Sequence, residues 1–493
     1  MGELELKLRL QPRQRDALLK ALGQRRLERV ALVARYFDTA DLLLARHGMA
    51  LRLRQEDGRW VQGLKVNVPG ALERLEDERA VADADPLVQH ALHAASESGR
   101  RLLALLRHHG EPPLAEVWRT DVTRTLRRLH AHGADLEWAL DEGRVEAAGQ
   151  SRPICELELE FKGGDPAGLF AAAHDWQARH GLWLDVVSKA ERGALLHQGL
   201  AFAPPVKAAA PGWRARDARA AGGPALLRTM VASCLQQILP NAGELADGSP
   251  DPVHAHQLRV GLRRLRAVAR AMRPFAQGLP PHWEDDLRPA FDALGRAHDA
   301  QVFATSLAPR LQRAGAPAFE AGPMDGDGAD IAALVRGAAF QRAALGLLAF
   351  AHGPAPAGPP APAREGVRRL RRTLDRLWRR VLRDVEGFAA LPLDRQHDVR
   401  KRLKRLRYLA EFAAPWHDDR AVKAWMKRVK PAQDALGDHV DQVQAALRLE
   451  HAATQQPAAW FAVGWLRAQA DRTSGDGTRA LRRLAKATPF WAG

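Results

Sequence analysis

The chain has 493 residues, 46% of them apolar, and a formal net charge of +16. That length exceeds one ordinary core and predicts two or more domains. No apolar run approaches the roughly 20 residues of a membrane span, so no membrane-spanning helix is expected. The two cysteines, Cys155 and Cys234, exclude a disulfide framework and a cysteine metal cage.

The opening MGELELKLRL is charged and alternating, without the basic-then-apolar layout of a signal peptide. A reducing, cytoplasmic setting is expected. Residues 1–200 hold 29 Lys+Arg against 30 Asp+Glu, and residues 201–493 hold 45 against 28. The excess positive charge lies entirely in the second part, and a polyanion-binding surface is expected there.

From 1 to about 200, short segments alternate with period 2, as in Leu4-Glu5-Leu6-Lys7-Leu8-Arg9 and Glu156-Leu157-Glu158-Leu159-Glu160. This is strand patterning, interrupted by helices at about 11–22 and 166–180. The Pro/Ala/Gly-rich stretch 203–223 reads as a linker. From about 225 the period becomes 3.6 and strand signals stop. Further Gly/Pro/Ala-rich connections occur at 314–329 and 352–363.

The second part repeats itself. The run from His256 through Arg259 and Arg263 to Arg266 resembles the run from His397 through Arg400 and Lys404 to Arg407. Asp292-Ala-Leu-Gly295 followed by Asp299 matches Asp434-Ala-Leu-Gly437 followed by Asp441. Two motifs in one order predict a duplicated helical unit. The expected organisation is α+β: an N-terminal strand domain (1–202), the linker (203–223) and an all-α domain (224–493) with repeats at about 224–350 and 364–493.

On strands, Glu3, Glu5 and Lys7 share one face, as do Glu156, Glu158, Glu160 and Lys162. Solvated strand faces are the usual meaning of such patterns. Two carboxylate rows around a hard cation are the other reading.

More motifs follow in order. They include Tyr36-Phe37-Asp38-Thr39, Arg52-Leu-Arg54, Leu64-Lys65, Arg74-Leu-Glu76-Asp-Glu78, Thr123-Arg124-Thr125, Asp141-Glu142-Gly143 and Ser188-Lys189-Ala-Glu191-Arg192-Gly193. With Glu3-x-Glu5-x-Lys7, this ordered set resembles CYTH domains, the triphosphate tunnel metalloenzymes. The resemblance implies an antiparallel eight-stranded β-barrel with a polar tunnel. It implies Mg²⁺ or Mn²⁺ held by Glu3, Glu5, Asp141, Glu156, Glu158 and Glu160. It also implies a triphosphate gripped by Lys7, Arg52, Arg54, Lys65, Arg124 and Lys189.

On a helix, His256, Arg259, Arg263, Arg266 and Arg270 form one stripe, displaced from an apolar edge of Leu258, Leu262 and Leu265. His397, Arg400, Lys404 and Arg407 repeat it, and Lys423, Lys427 and Lys430 add a row. Solvated helices usually mix signs; unbroken cations suit an anion laid along them. These residues resemble the CHAD domain, a conserved-histidine α-helical domain of two bundle halves, whose implied ligand is inorganic polyphosphate. Nucleic acid is the weaker alternative, because the stripes carry almost no aromatics for base stacking.

The expectation is thus a metal-dependent hydrolase of inorganic triphosphate that binds polyphosphate, located in the cytoplasm at polyphosphate granules. The alternatives are a nucleoside or thiamine triphosphatase, an adenylate cyclase, or a non-catalytic granule-binding protein.

Overall fold

A computed structural model describes residues 4–23, 27–56, 58–68, 74–82, 86–319, 330–354 and 362–492. The first part is one antiparallel sheet of β1 (Glu5–Arg9), β2 (Glu28–Asp38), β3 (Met49–Glu56), β4 (Arg59–Asn67), β5 (Arg74–Val81), β6 (Ala115–Ala131), β7 (Ala134–Ala147), β8 (Gln150–Gly164) and β9 (Trp183–Leu184). The strand order is β5-β4-β3-β2-β6-β7-β8-β1-β9. The expectation of eight strands closed into a barrel is corrected: among the described residues there are nine, and β5 and β9 are not paired. β9 is two residues long and pairs with β1, so it has little backbone left to reach the far edge.

The long helices are α1 (Arg15–Leu22), α2 (Glu97–His108), α3 (Ala167–His180), α4 (Lys189–His197), α5 (Gly223–Ala246), α6 (Pro252–Ala271), α7 (Trp283–Val302), α8 (Ala338–His352), α9 (Glu365–Arg383), α10 (Leu393–Ala413), α11 (Asp419–Ala453) and α12 (Ala459–Ala485). α2 packs against β4 and β5, near one sheet edge.

Strand alternation sorts the sheet into two surfaces. Lys7 lies opposite Glu158, Glu5 opposite Glu160, and Asp141 opposite both Arg124 and Glu156. Cross-strand partners share a face, so these charges face the concave side together. The intervening Leu6, Leu8, Trp138, Leu157 and Leu159 are buried on the other side. There they join α1 and α3 in an apolar core that continues into α5, α8 and α9.

The helical part contains two matched sets, α5–α8 and α9–α12. Leu258, Leu262 and Leu265 of α6 are buried, as are Val399, Leu403 and Leu406 of α10. Apolar burial of one edge leaves the other edge of each helix for the cations. The insertions at 314–329 and 352–363 fall largely outside the described residues.

The connecting segment is held down along its length. Asn241 Oδ1 accepts from Val206 N (3.2 Å) and its Nδ2 donates to Val206 O (2.9 Å). His254 Nε2 donates to Ala203 O at 2.9 Å, and Trp213 packs on Trp416 with ring centroids 5.3 Å apart. Leu184 N donates to Gln341 Oε1 at 2.9 Å, and Arg9 and Arg192 reach Asp247 at the end of α5. Composition marks this stretch as a linker; tertiary packing makes it a strap.

Candidate functional site

The concave face of the sheet encloses a cavity of about 390 Å³. Of the expected cations, Lys7, Arg52, Arg54, Lys65, Arg124 and Lys189 all line it. Of the expected carboxylates, Glu5, Asp141, Glu158 and Glu160 line it, and Glu156 is buried beneath them. Glu3 lies outside the described residues.

At one end, Asp141, Glu156 and Glu158 each offer an oxygen within 4.8 Å of the others. Like charges this close need a cation. Lys189 supplies it: its Nζ lies 2.7 Å from Asp141 Oδ2, 2.5 Å from Glu156 Oε1 and 2.7 Å from Glu158 Oε1. Arg124 grips Asp141 through two bonds of 2.7 Å and also reaches Glu158. Burial alone raises the Glu158 carboxyl, but Lys189 and Arg124 outweigh it and hold it well below the usual range. Burial likewise opposes the charge on Lys189, and Asp141, Glu156 and Glu158 hold that ammonium well above its ordinary value.

Lys189 is the first residue of α4, whose start is fixed by a capping box. The Ser188 hydroxyl accepts from Glu191 N at 3.2 Å, and the Glu191 carboxylate accepts from Ser188 N at 2.7 Å. Gly193 then lets α4 lie against Trp118, where an added Cβ would sit 2.1 Å from the indole. This contact sets the height of α4, and so of Lys189, over the cavity.

At the other end, the expected phosphate cations already have carboxylate partners, Glu76 and Glu78. Arg52 lies 3.1 Å and Arg54 3.2 Å from Glu78, and Lys65 lies 3.0 Å from Glu76. Burial pushes Glu78 up, and Arg54 and Arg52 bring it below the usual range. The period-2 spacing of Glu76 and Glu78, matching that of Arg52 and Arg54, was the available signal.

In the helical part, α6 and α10 face each other across a cleft of about 510 Å³. Arg259, Arg263, Arg266 and Arg270 line it from one repeat; His397, Arg400 and Lys404 line it from the other. Gly295 and Gly437 hold matching places, since an added Cβ would meet the Arg259 guanidinium at 3.7 Å and that of Arg400 at 3.8 Å. Arg400 pairs with Asp441 at 3.0 Å. Burial, with Arg400 and Arg263 alongside, pushes Lys404 to about 6. Burial and Arg263 push Arg259 to about 10.

Five expected polyphosphate residues are not among those lining this cleft. His256 packs against His298, with ring centroids 5.4 Å apart. Arg407 turns to Glu411 (2.9 Å) and Gln433 (2.8 Å), and Tyr408 takes the cleft position. Lys423, Lys427 and Lys430 are exposed on α11, with Lys423 2.6 Å from Asp419 and Lys430 2.8 Å from Asp434. They share the face of Asp441 but precede it by about 16–27 Å of helix. The missed cleft residues are Lys401, Arg405 and Arg448.

No described helix is long and apolar enough to cross a membrane.

Comparison with known proteins matches residues 1–194 to the CYTH domain and residues 229–450 to the CHAD domain. The chain is 29% identical over 202 residues to an inorganic triphosphatase of Haemophilus influenzae, covering 40% of this chain and 55% of that one. It thus spans about half the length of that curated relative. Among solved structures, the CHAD domain from the plant Ricinus communis is 25% identical, covering 58% of this chain and 98% of that chain, with a TM-score of 0.47. A Hippeastrum protein described as a candidate adenylyl cyclase with a dominant triphosphatase activity is 26% identical, covering 40% of this chain and 96% of that one, with a TM-score of 0.30. The chain belongs to the CYTH domain family over residues 1–194 and to the CHAD domain family over residues 229–450.

Proposed function

We propose that the sheet cavity hydrolyses a short triphosphate, inorganic tripolyphosphate before others, and that the helical cleft binds inorganic polyphosphate. The observation that carries the first reading is the convergence of six cations and a three-carboxylate cluster on one cavity. The similarity to an inorganic triphosphatase supports it.

The carboxylate cluster fits a hard divalent cation. Three oxygens already surround a position held by an ammonium, and oxygen donors suit Mg²⁺ or Mn²⁺. Glu5, Asp141, Glu156 and Glu158 would hold the ion, with Glu160 beside them. When bound, it supplies positive charge to phosphate oxygens and acidifies a water.

The chain's own residues do the rest. Arg52 and Arg54 present forked donors, and Lys65 a point charge, to the phosphate oxygens. Glu76 and Glu78 hold these cations in place until the substrate displaces them, which limits reorganisation on binding. Arg124 and Lys189, fixed by three carboxylates, meet the charge that develops as the phosphoryl group transfers. Such transfer needs positioning and charge stabilisation more than covalent help.

A nucleoside triphosphate is the second reading. The aromatic pair at the cavity, Tyr36 and Trp118, is stacked with ring centroids 5.5 Å apart, and each ring is 3% exposed. Their faces are covered by each other and by α4, which favours a substrate without a base. In the first reading the enzyme works in the cytoplasm, at polyphosphate granules.

Phosphate release from tripolyphosphate, ATP and thiamine triphosphate, measured side by side with and without divalent metal, tests the proposal. Excess EDTA abolishes turnover of tripolyphosphate, Mg²⁺ or Mn²⁺ restores it, and the far-ultraviolet circular dichroism stays unchanged throughout. Full turnover in EDTA would remove the metal from the account; preference for ATP would select the second reading.

A further inference from the structure

A third basic helix lies outside the cleft. α9 carries Arg369, Arg372, Arg376, Arg380 and Arg383 at steps of 3, 4, 4 and 3, a single stripe at helical spacing. The last four are exposed, and none forms an ion pair among the described residues. Glu365 sits on the stripe at the start of α9 without an ion pair among the described residues, and the other nearby acids are occupied elsewhere. Asp375 accepts from Trp491 Nε1 at 3.1 Å, Asp384 pairs with Arg402 at 2.5 Å, and Glu386 with Arg482 at 2.7 Å.

The stripe meets the rim of the cleft at two places. Arg369 Nε donates to Ala271 O at 3.0 Å, next to Arg270 of the cleft wall. Arg402 donates to Arg380 O at 3.2 Å, one helical turn from Arg405, which also lines the cleft. Burial lowers the pKa of Arg405, and the charges of Arg270 and Arg380 lower it further, so the three share one field.

The fold does not require these arginines. The matching first helix of the other repeat, α5, contains one basic residue, Arg228, and is buried over most of its length against α6 and α8, with β9 at one side. The covered copy is apolar and the open copy is arginine-rich. An ordinary solvated helix would mix signs and gain i,i+4 pairs; this stripe has self-repulsion instead, which a linear anion relieves.

We propose that α9 is an exit track, along which a linear phosphate polymer continues after leaving the cleft past Arg270 and Arg405. This rests on the reading that the cleft binds polyphosphate. The track from Arg369 to Arg383 adds about 21 Å of contact. The only aromatic residue of α9, Trp378, is buried, so the track offers no ring on which a nucleobase could stack.

The test uses the full chain and two polyphosphates, one shorter than about 20 Å and one several times longer. The variants are Arg372→Gln/Arg376→Gln/Arg380→Gln, the matching triple Lys substitution, and Arg263→Gln/Lys404→Gln in the cleft. The triple Gln variant binds the long chain at least tenfold more weakly, and its log–log salt slope is shallower by about 2 for three lost contacts. It binds the short chain as the parent does, and the triple Lys variant retains long-chain binding. Equal long-chain affinity in parent and triple Gln variant overturns the track. Equal weakening of both chain lengths also overturns it, because that is a general field effect. Loss of duplex DNA binding without loss of long-chain binding assigns the stripe to nucleic acid. If the cleft variant binds both chains as the parent does while the triple Gln variant loses the long one, the cleft reading fails and α9 stands as a site of its own.

Discussion

Glu158→Gln lowers tripolyphosphate turnover about a hundredfold to a thousandfold, the order of loss that follows removal of one preorganised polar group from an active site. Glu158 pairs with both cations of the acidic end, Lys189 at 2.7 Å and Arg124, as Asp141 does. The amide keeps the volume and removes the charge. Asp141 and Glu156 remain to hold Lys189, and Asp141 remains to hold Arg124, so the sheet survives. Because the lost charge repels phosphate, KM stays level or falls while kcat collapses. A role in substrate grip alone would raise KM instead. Steady-state kinetics on both proteins, with thermal melts as a control, separate the two; an unchanged kcat removes Glu158 from the chemistry.

Arg263→Gln combined with Lys404→Gln weakens polyphosphate binding at least tenfold. Each lost charge-assisted contact is worth at most about 1.5–3 kcal/mol, and about 1.4 kcal/mol is one decade in Kd. Salt screening reduces the first figure, and for this reason the bound is set low. Binding also becomes less salt-dependent, because fewer counterions are released. The melting temperature holds or rises, since like-charge repulsion is relieved, and turnover in the sheet cavity is unaffected.

Lys404 adds a pH signature. Its ammonium is pushed to about 6 in the free protein, first by burial and then by Arg400 and Arg263. The unfolded chain keeps that proton up to the ordinary value of 10.5. Between these values the unfolded state binds more protons, so stability rises with pH there and levels off outside the window. A bound phosphate chain favours the charged form and raises the value again. Polyphosphate binding near neutral pH therefore takes up a proton, and affinity falls as pH rises above 6. Calorimetry in buffers of different ionisation enthalpy measures the uptake. The same uptake in Lys404→Gln would refute the assignment.

The strand rows and helix stripes were legible because each depends on local periodicity. Glu5, Lys7, Glu156 and Glu158 come together because strands alternate and β1 pairs with β8. Arg259, Arg263, Arg400 and Lys404 come together because the opposite edges of α6 and α10 are apolar and buried. What depends on distance in three dimensions was not legible. Lys189 was read as a phosphate ligand, and its position among three carboxylates requires α4 to close over the sheet. Lys423 and Lys430 have the right spacing and the wrong height, since α11 runs well past the cleft at that end. The open sheet edge follows from the two-residue length of β9, which composition does not reveal. The α9 stripe is visible in the sequence, but Arg368, Arg371 and Arg379 flank it and blur its single row.

The central claim is that the sheet cavity breaks a phosphoanhydride bond. A phosphorus NMR time course of the full chain with tripolyphosphate and Mg²⁺ tests it directly. The account predicts that the triphosphate resonances decay while pyrophosphate and orthophosphate grow in equal amounts, and that Glu158→Gln stops this decay. A spectrum that does not change over many hours, with either Mg²⁺ or Mn²⁺ and with a folded protein, would contradict it.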